Sequence, residues 1–297
     1  MPKTLYIEPP EHFSFRHTIN SHGWSGLLPF EIDRENQILQ CVLSGANGEN
    51  PVSVSVKESG GKLEIEVAGE KFDERKIIGG VRHILRLDDD LTDFYKLAER
   101  EKSLAWIAER KAGRLLRSPT VFEDLVKTVC TTNCSWALTK KMTTNLVEKL
   151  GVSAENGKKA FPTAAEMASV STEFYREEIR AGYRAAYFAE LAEAVASGRV
   201  NPESWLSSDL PAKELKREMK KIKGVGEYAA DNLLKLVGSY EGLALDSWVR
   251  SQFYQKHNAG VVCADKEIED FYGKFGKWRG LVAWCDVTEK WFSENHF

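Results

Sequence analysis

The sequence predicts an α+β protein: a small N-terminal antiparallel β domain followed by an all-helical remainder. Three observations predict it. Before residue 74, apolar residues alternate with polar ones at the period of a strand with one buried and one wet face. After residue 74 the apolar spacing is helical and stays so to the end. Strands and helices are segregated rather than interleaved, which excludes an alternating βαβ order. At 297 residues, 42% hydrophobic and 29% charged, the chain has the composition of a soluble protein with a buried core.

The elements follow in order. Ile38 to Leu43 form a short apolar run. Val52, Val54 and Val56 alternate with serines and Lys57, and Leu63, Ile65 and Val67 with glutamates. Gly45, Asn47, Gly48, Gly60 and Gly61 supply the turns. Helical spacing predicts helices at 74–86, 91–99, 103–112, 119–131, 135–150, 163–169, 172–180, 183–197, 211–221, 227–238, 247–256 and 265–273, with one more across 278–292. Residues 151–162 and 198–210 read as polar loops. The expected organisation is a β domain with a packing helix at 1–87, a helical segment at 88–210, and a last segment at 211–297.

Composition excludes some functions. The net charge of −3 gives no global basic footprint, so any nucleic-acid contact needs local positive charge. No apolar run is long enough to span a bilayer, and the first residues lack the apolar core of a signal peptide. The five dispersed cysteines suit reduced thiols. A monomer without a membrane partner is expected, in the cytoplasm or, in a eukaryote, the nucleus. Cys130 and Cys134 lie one helical turn apart and offer two metal ligands, but no nearby His or Cys completes a site, so packing is the better reading.

Residues 222–246 carry the most information. A tight turn on Gly224-Val225-Gly226 joins two helices, and Ala229, Ala230, Leu233 and Leu234 mark the inner face of the second. Glycine lets the backbone turn without a Cβ in the way. The N–H groups of the turn and of the next helix's first residues, Glu227 among them, lack intrahelical partners and favour an anion such as a DNA phosphate. A lone Asp246 then opens the next apolar-periodic helix, where a simple N-cap is the competing reading.

This pattern resembles the helix-hairpin-helix DNA glycosylases, and in organisation the 8-oxoguanine type. Phe13-Ser14-Phe15-Arg16 and Trp24-Ser25-Gly26 resemble that family's opening strands, and Gly113-Arg114-Leu115-Leu116-Arg117 the lead into its catalytic unit. Cys130-Thr131-Thr132-Asn133 resembles the segment whose asparagine enters the gap left by an extruded base. Gly182-Tyr183-Arg184-Ala185 resembles the wedge, whose aromatic buckles the duplex and whose arginine reads the widowed base. Taken without the family, Asn133 reads equally as a helix-end cap, Tyr183 as packing on Tyr187 and Arg184 as a solvated helix face.

The resemblance implies a DNA-binding cleft in the helical domain and a double-stranded DNA partner holding a damaged base, with a modified purine the expected target. It also implies a monovalent cation, K+ or Na+, on the main-chain carbonyls of Lys220, Ile222 and Val225, and no other cofactor. Departures sharpen it. Tyr228 stands where the 8-oxoguanine enzymes carry the lysine that forms a Schiff base, and a phenol forms no imine. An aromatic there is similar to the 3-methyladenine glycosylase II type. Asn232, His12, Ala283 and Val287 occupy pocket positions with other residues than that family uses. Asp246 is then the expected catalytic group, its carboxylate stabilising the sugar cation and orienting water. The alternatives are a glycosylase/lyase using another lysine and a non-catalytic binder of bent DNA.

Overall fold

The computed structural model describes residues 3–43, 50–69 and 71–292. Strands β1 (Lys3–Ile7), β2 (Glu31–Asp33), β3 (Ile38–Leu43), β4 (Val52–Ser59) and β5 (Lys62–Ala68) form one antiparallel sheet in the order β1-β5-β4-β3-β2. Its register explains the alternation. Leu5 pairs with Ile65, Ile65 with Val56 and Val56 with Leu39, so one apolar row crosses four strands and is buried. On the other face Lys57 pairs with Glu64 at 2.9 Å and lies 3.8 Å from Glu66. Gly60 and Gly61 close the β4–β5 hairpin with φ of 58° and 78°, the left-handed pair that such a tight turn requires. The turn expected at Gly45, Asn47 and Gly48 lies outside the described residues.

The helices, in chain order, are α1 (Phe15–Ile19), α2 (Glu74–Ile84), α3 (Thr92–Glu99), α4 (Trp106–Glu109), α5 (Val121–Thr131), α6 (Trp136–Leu150), α7 (Ala164–Ala168), α8 (Thr172–Glu177), α9 (Ala185–Ala196), α10 (Ala212–Met219), α11 (Glu227–Leu236), α12 (Ser247–His257), α13 (Asp265–Gly273) and α14 (Arg279–Thr288). Among the described residues no helix is long and apolar enough to cross a membrane.

Three local readings change. Phe13–Arg16 and Trp24–Gly26 are not opening strands. Ser14 caps α1 by accepting the N–H of His17, and Gly23–Gly26 is a 3-10 turn. The helix expected at 103–112 shrinks to Trp106–Glu109, because Lys111 (φ 54°) and Gly113 (φ 106°) turn the chain away. The loop at 198–210 contains a 3-10 helix, Pro202–Ser207, with Trp205 buried. There the Glu203 carboxylate accepts the N–H groups of Val121 and Phe122 at 3.0 Å, capping α5 from 82 and 81 residues away in sequence.

The chain folds as two compact units, each assembled from several segments. One comprises Met1–Glu11, His22–Asp88 and Leu116–Trp205 and holds the sheet with α2 and α5 to α9. Its interior includes a buried Lys127–Glu123 ion pair at 2.6 Å and an Asp124 carboxylate that accepts from Trp24 Nε1 at 2.6 Å. The other comprises His12–Ser21, Asp89–Leu115 and Leu206–Phe297 and holds α1, α3, α4 and α10 to α14. Its core is built on Phe94, Ile107, Ile268, Tyr272, Leu281 and Val282. The segment 88–210 therefore contributes residues to both units.

Candidate active site

The hairpin joins α10 to α11. Gly224 has φ 90°, which a side chain disfavours, and Val225 closes the turn by donating its N–H to the Ile222 carbonyl at 3.0 Å. Gly226 needs no unusual φ; a Cβ there would meet open space, so its use is to leave the backbone accessible. Gly226 caps α11 without a side-chain hydrogen bond, which keeps the helix's first N–H groups available to an anion. The Glu227 side chain is occupied: Lys216 at 2.7 Å and Lys220 bind its carboxylate and pull it down to about 2. Glu227 thus offers a phosphate its main chain only, its carboxylate being taken up by the two lysines.

Asp246 is half-buried at the N-cap of α12, where its Oδ1 accepts the Val249 N–H at 2.7 Å. The capping reading is correct, and it fixes the carboxylate in place. The approach to it is held as well. Ala244, two residues earlier, has φ 53°, a conformation that costs a non-glycine residue about 1 kcal/mol. Its N–H is received by Asp231 Oδ2 at 3.3 Å, and Asp231 is itself paired with Lys216 at 2.6 Å. Asp231 was not singled out in the sequence. The signal was there: a lone acid among Ala229, Ala230, Leu233 and Leu234 on the buried face of a helix.

Tyr228 and Asn232 lie one turn apart on α11, where Asn232 Nδ2 donates to the Tyr228 carbonyl at 3.2 Å. Tyr228 lines a polar cavity of about 240 Å³ shared with Lys216, Asp231, Arg250 and Arg279. His12 is exposed and packs edge-on against Tyr95, with centroids 5.8 Å apart. Ala283 and Val287 are buried on α14, and Ala283 belongs to the unit's core. Between them in sequence, Trp284 turns toward Trp248 (6.0 Å) and Trp291 (5.6 Å), and the Trp248–Trp291 distance is 5.2 Å. Trp284 Nε1 also donates to the Ser21 carbonyl at 3.0 Å. Trp278, by contrast, stacks on Tyr240 within the core.

One functional candidate escaped the sequence reading. Lys235 stands seven residues past Tyr228, hence on the same face of α11, and is only 2% exposed. Its ammonium lies 5.5 Å from the centre of the Trp284 ring. Burial pulls the amine down to about 8, against the opposing charges of Asp231 and Asp246.

The sheet-bearing unit holds Asn133, Tyr183 and Arg184, the residues expected to fill the gap and form the wedge. Tyr183 sits on a 3-10 turn after Gly182 and is 53% exposed. Asn133 is exposed with φ 47°, one residue beyond the cap of α5, a helix-ending position that asparagine tolerates. Arg184 is the correction. It was expected to reach a base edge, or else solvent, but is 3% exposed. Its Nε donates to the Val129 carbonyl at 3.2 Å and its Nη2 to that of Thr132. The guanidinium therefore ties the turn bearing Tyr183 to the loop bearing Asn133. It also lies 4.5 Å from the Tyr183 ring centre.

No family model matches the chain. A DNA-3-methyladenine glycosylase of Bacillus subtilis (strain 168) is 27% identical over 169 residues, 56% of this chain and 55% of that protein. The chain thus spans about half the length of the curated relative it matches. The 8-oxoguanine glycosylase/lyase of Clostridium acetobutylicum, in its apo-form, superposes with a TM-score of 0.76 at 21% identity, covering 97% of both chains. The 3-methyladenine DNA-glycosylase of Archaeoglobus fulgidus gives 0.76 at 19% identity over 97% of this chain and 99% of that one. These likenesses extend over nearly the whole chain, sheet and helices together. The chain has the fold that 8-oxoguanine and 3-methyladenine DNA glycosylases share.

Proposed function

We propose that this protein is a DNA glycosylase of base excision repair that extrudes a damaged base, a modified purine, from duplex DNA and hydrolyses its N-glycosidic bond. The observation that carries the proposal is Asp246: a half-buried carboxylate fixed by the Val249 N–H, downstream of a phosphate-type hairpin, in a chain with the glycosylase fold. The solved Clostridium relative in complex with double-stranded DNA containing cytosine opposite 8-oxoG, at a TM-score of 0.75, supports duplex DNA as the partner.

In this reading the open N–H groups at the start of α11 hold a backbone phosphate and read no sequence. Tyr183 enters the stack as the base leaves it, an extrusion that costs a few kcal/mol. Asn133 faces the vacated space. As the C1′–N bond lengthens, positive charge builds on the sugar, and the Asp246 carboxylate stabilises it and orients the water that adds to C1′. Tyr228 cannot form an imine, so the product is an intact abasic site. The Lys220, Ile222 and Val225 carbonyls as a K+ or Na+ site belong to the same proposal. The Ile222 carbonyl keeps a second lone pair for an ion beside the N–H of Val225.

The test is a panel of duplexes carrying alkylated, deaminated and oxidised bases, scored for strand cleavage with and without alkali. Lesion-dependent, alkali-revealed cleavage is the expected result. Equal binding to every bent duplex with no released base would leave only a DNA-structure binder.

A further inference from the structure

Purines alkylated at N3 or N7 carry a positive charge while attached to DNA, whereas deaminated and etheno-bridged purines are neutral. The two classes ask opposite things of a pocket. A cationic base is drawn to the face of an electron-rich aromatic ring, tryptophan best of all. It needs no help to depart, because it leaves neutral. A neutral base takes the bonding electron pair as C1′–N breaks, gathers negative charge and ends by taking up the proton released when water adds to C1′. A fixed positive charge nearby assists that departure.

Trp284, Trp248 and Trp291 form an aromatic cluster, of which Trp248 stands two residues past Asp246 in sequence, the kind of surface a cationic base would seek. Its cation position is already taken, because the Lys235 ammonium lies 5.5 Å from the Trp284 ring centre. At 2% exposure this charge is poorly screened by water and salt. The titratable groups that act on it are Asp231 from α11, Asp246 from the start of α12 and Cys285 from α14. Asp231 is paired with Lys216, and burial pushes the Cys285 thiol up to about 12, so it is neutral. Asp246 also acts on Arg250, whose guanidinium is held by Asp265 at 2.7 Å.

We propose that Lys235 is a specificity-determining residue that makes this site favour neutral damaged purines over cationic alkylated ones. The inference rests on the glycosylase reading and deepens it. For a separation of about 8 Å and an effective dielectric constant of about 20, repulsion by the ammonium disfavours a cationic base roughly 30-fold. The same charge favours departure of a neutral one. Because the amine titrates at about 8, the preference fades as pH rises through that value.

The experiment measures single-turnover release from three duplexes: one with hypoxanthine, one with 1,N6-ethenoadenine and one randomly methylated and scored for 3-methyladenine. Wild type, Lys235→Met and Lys235→Arg are compared at pH 7 and, with ethenoadenine and 3-methyladenine, from pH 7 to 9.5. The expected result is a neutral-to-cationic release ratio that falls at least about 10-fold in Lys235→Met, persists in Lys235→Arg, and declines above pH 8 in wild type only. Lys235→Arg keeps the charge and so separates lost selectivity from lost folding. An unchanged ratio in folded Lys235→Met, or a wild type that releases only the cationic base, overturns the proposal and leaves the glycosylase reading intact. No release of any base by wild type overturns both.

Discussion

The guanidinium of Arg184 donates its Nε–H to the carbonyl oxygen of Val129 at 3.2 Å, while a second nitrogen binds the carbonyl of Thr132. Arg184 is thus a strut between the turn that bears Tyr183 and the loop that bears Asn133. Arg184→Ala leaves two carbonyls without their charged donor and should cost about 3 kcal/mol of stability by thermal or urea unfolding. Excision should slow by a similar factor opposite all four partner bases, since what is lost is the placement of Asn133 and Tyr183. A loss confined to one partner base would restore the base-reading role.

Tyr183 behaves in the opposite way. At 53% exposure it contributes little to the fold, so Tyr183→Ala should change stability by no more than about 0.5 kcal/mol. Its effect should appear in single-turnover excision, about 10-fold or more where the lesion sits in a stable pair and less opposite a mismatch, where less stacking must be broken. Equal slowing in both contexts would remove it from the wedge.

The contrast shows what the sequence made legible. Periodicity found β3, β4 and β5 and most helices, because half-buried strands and amphipathic helices write their burial into their spacing. It missed β1 and β2, which are short edge strands, and the opening strand that the resemblance implied at Phe13–Arg16 is instead a helix start capped by Ser14. Asp246 and the hairpin were legible because turn and capping chemistry is local. Arg184, Asp231 and Lys235 were not, since their partners Val129, Lys216 and Trp284 are distant in the chain or across a helix turn. Nothing in LLKL distinguishes an inward lysine from one that lies in solvent.

Lys235 makes a prediction independent of DNA. The amine ordinarily titrates at 10.5 and in the folded protein at about 8. Between those values the unfolded chain holds a proton that the folded chain lacks, so this group makes stability rise with pH across that window. Below pH 8 the folded protein carries the full burden of a buried charge. Lys235→Met should therefore be more stable than wild type by at most about 3 kcal/mol at pH 7, and the gain should vanish by pH 10.5. Unfolding curves at pH 7, 9 and 10.5 test this; a gain that grows with pH would contradict it.

Borohydride trapping examines the route of hydrolysis. With Tyr228 at the hairpin position, incubation with lesion DNA and borohydride should give no covalent protein–DNA band, and strands should break only after alkali or heat. A strong band that disappears in Lys235→Met would make that amine a nucleophile and the enzyme a glycosylase/lyase.

The most direct measurement concerns Asp246→Asn. Asparagine caps a helix as well as aspartate, so α12 and the hydrogen bond from Val249 should survive while the charge is lost. Single-turnover base release from the best substrate should fall by at least about 100-fold, with DNA affinity within about threefold of wild type. Release at the wild-type rate by a folded Asp246→Asn protein would show that Asp246 is only a cap and that the chemistry lies elsewhere.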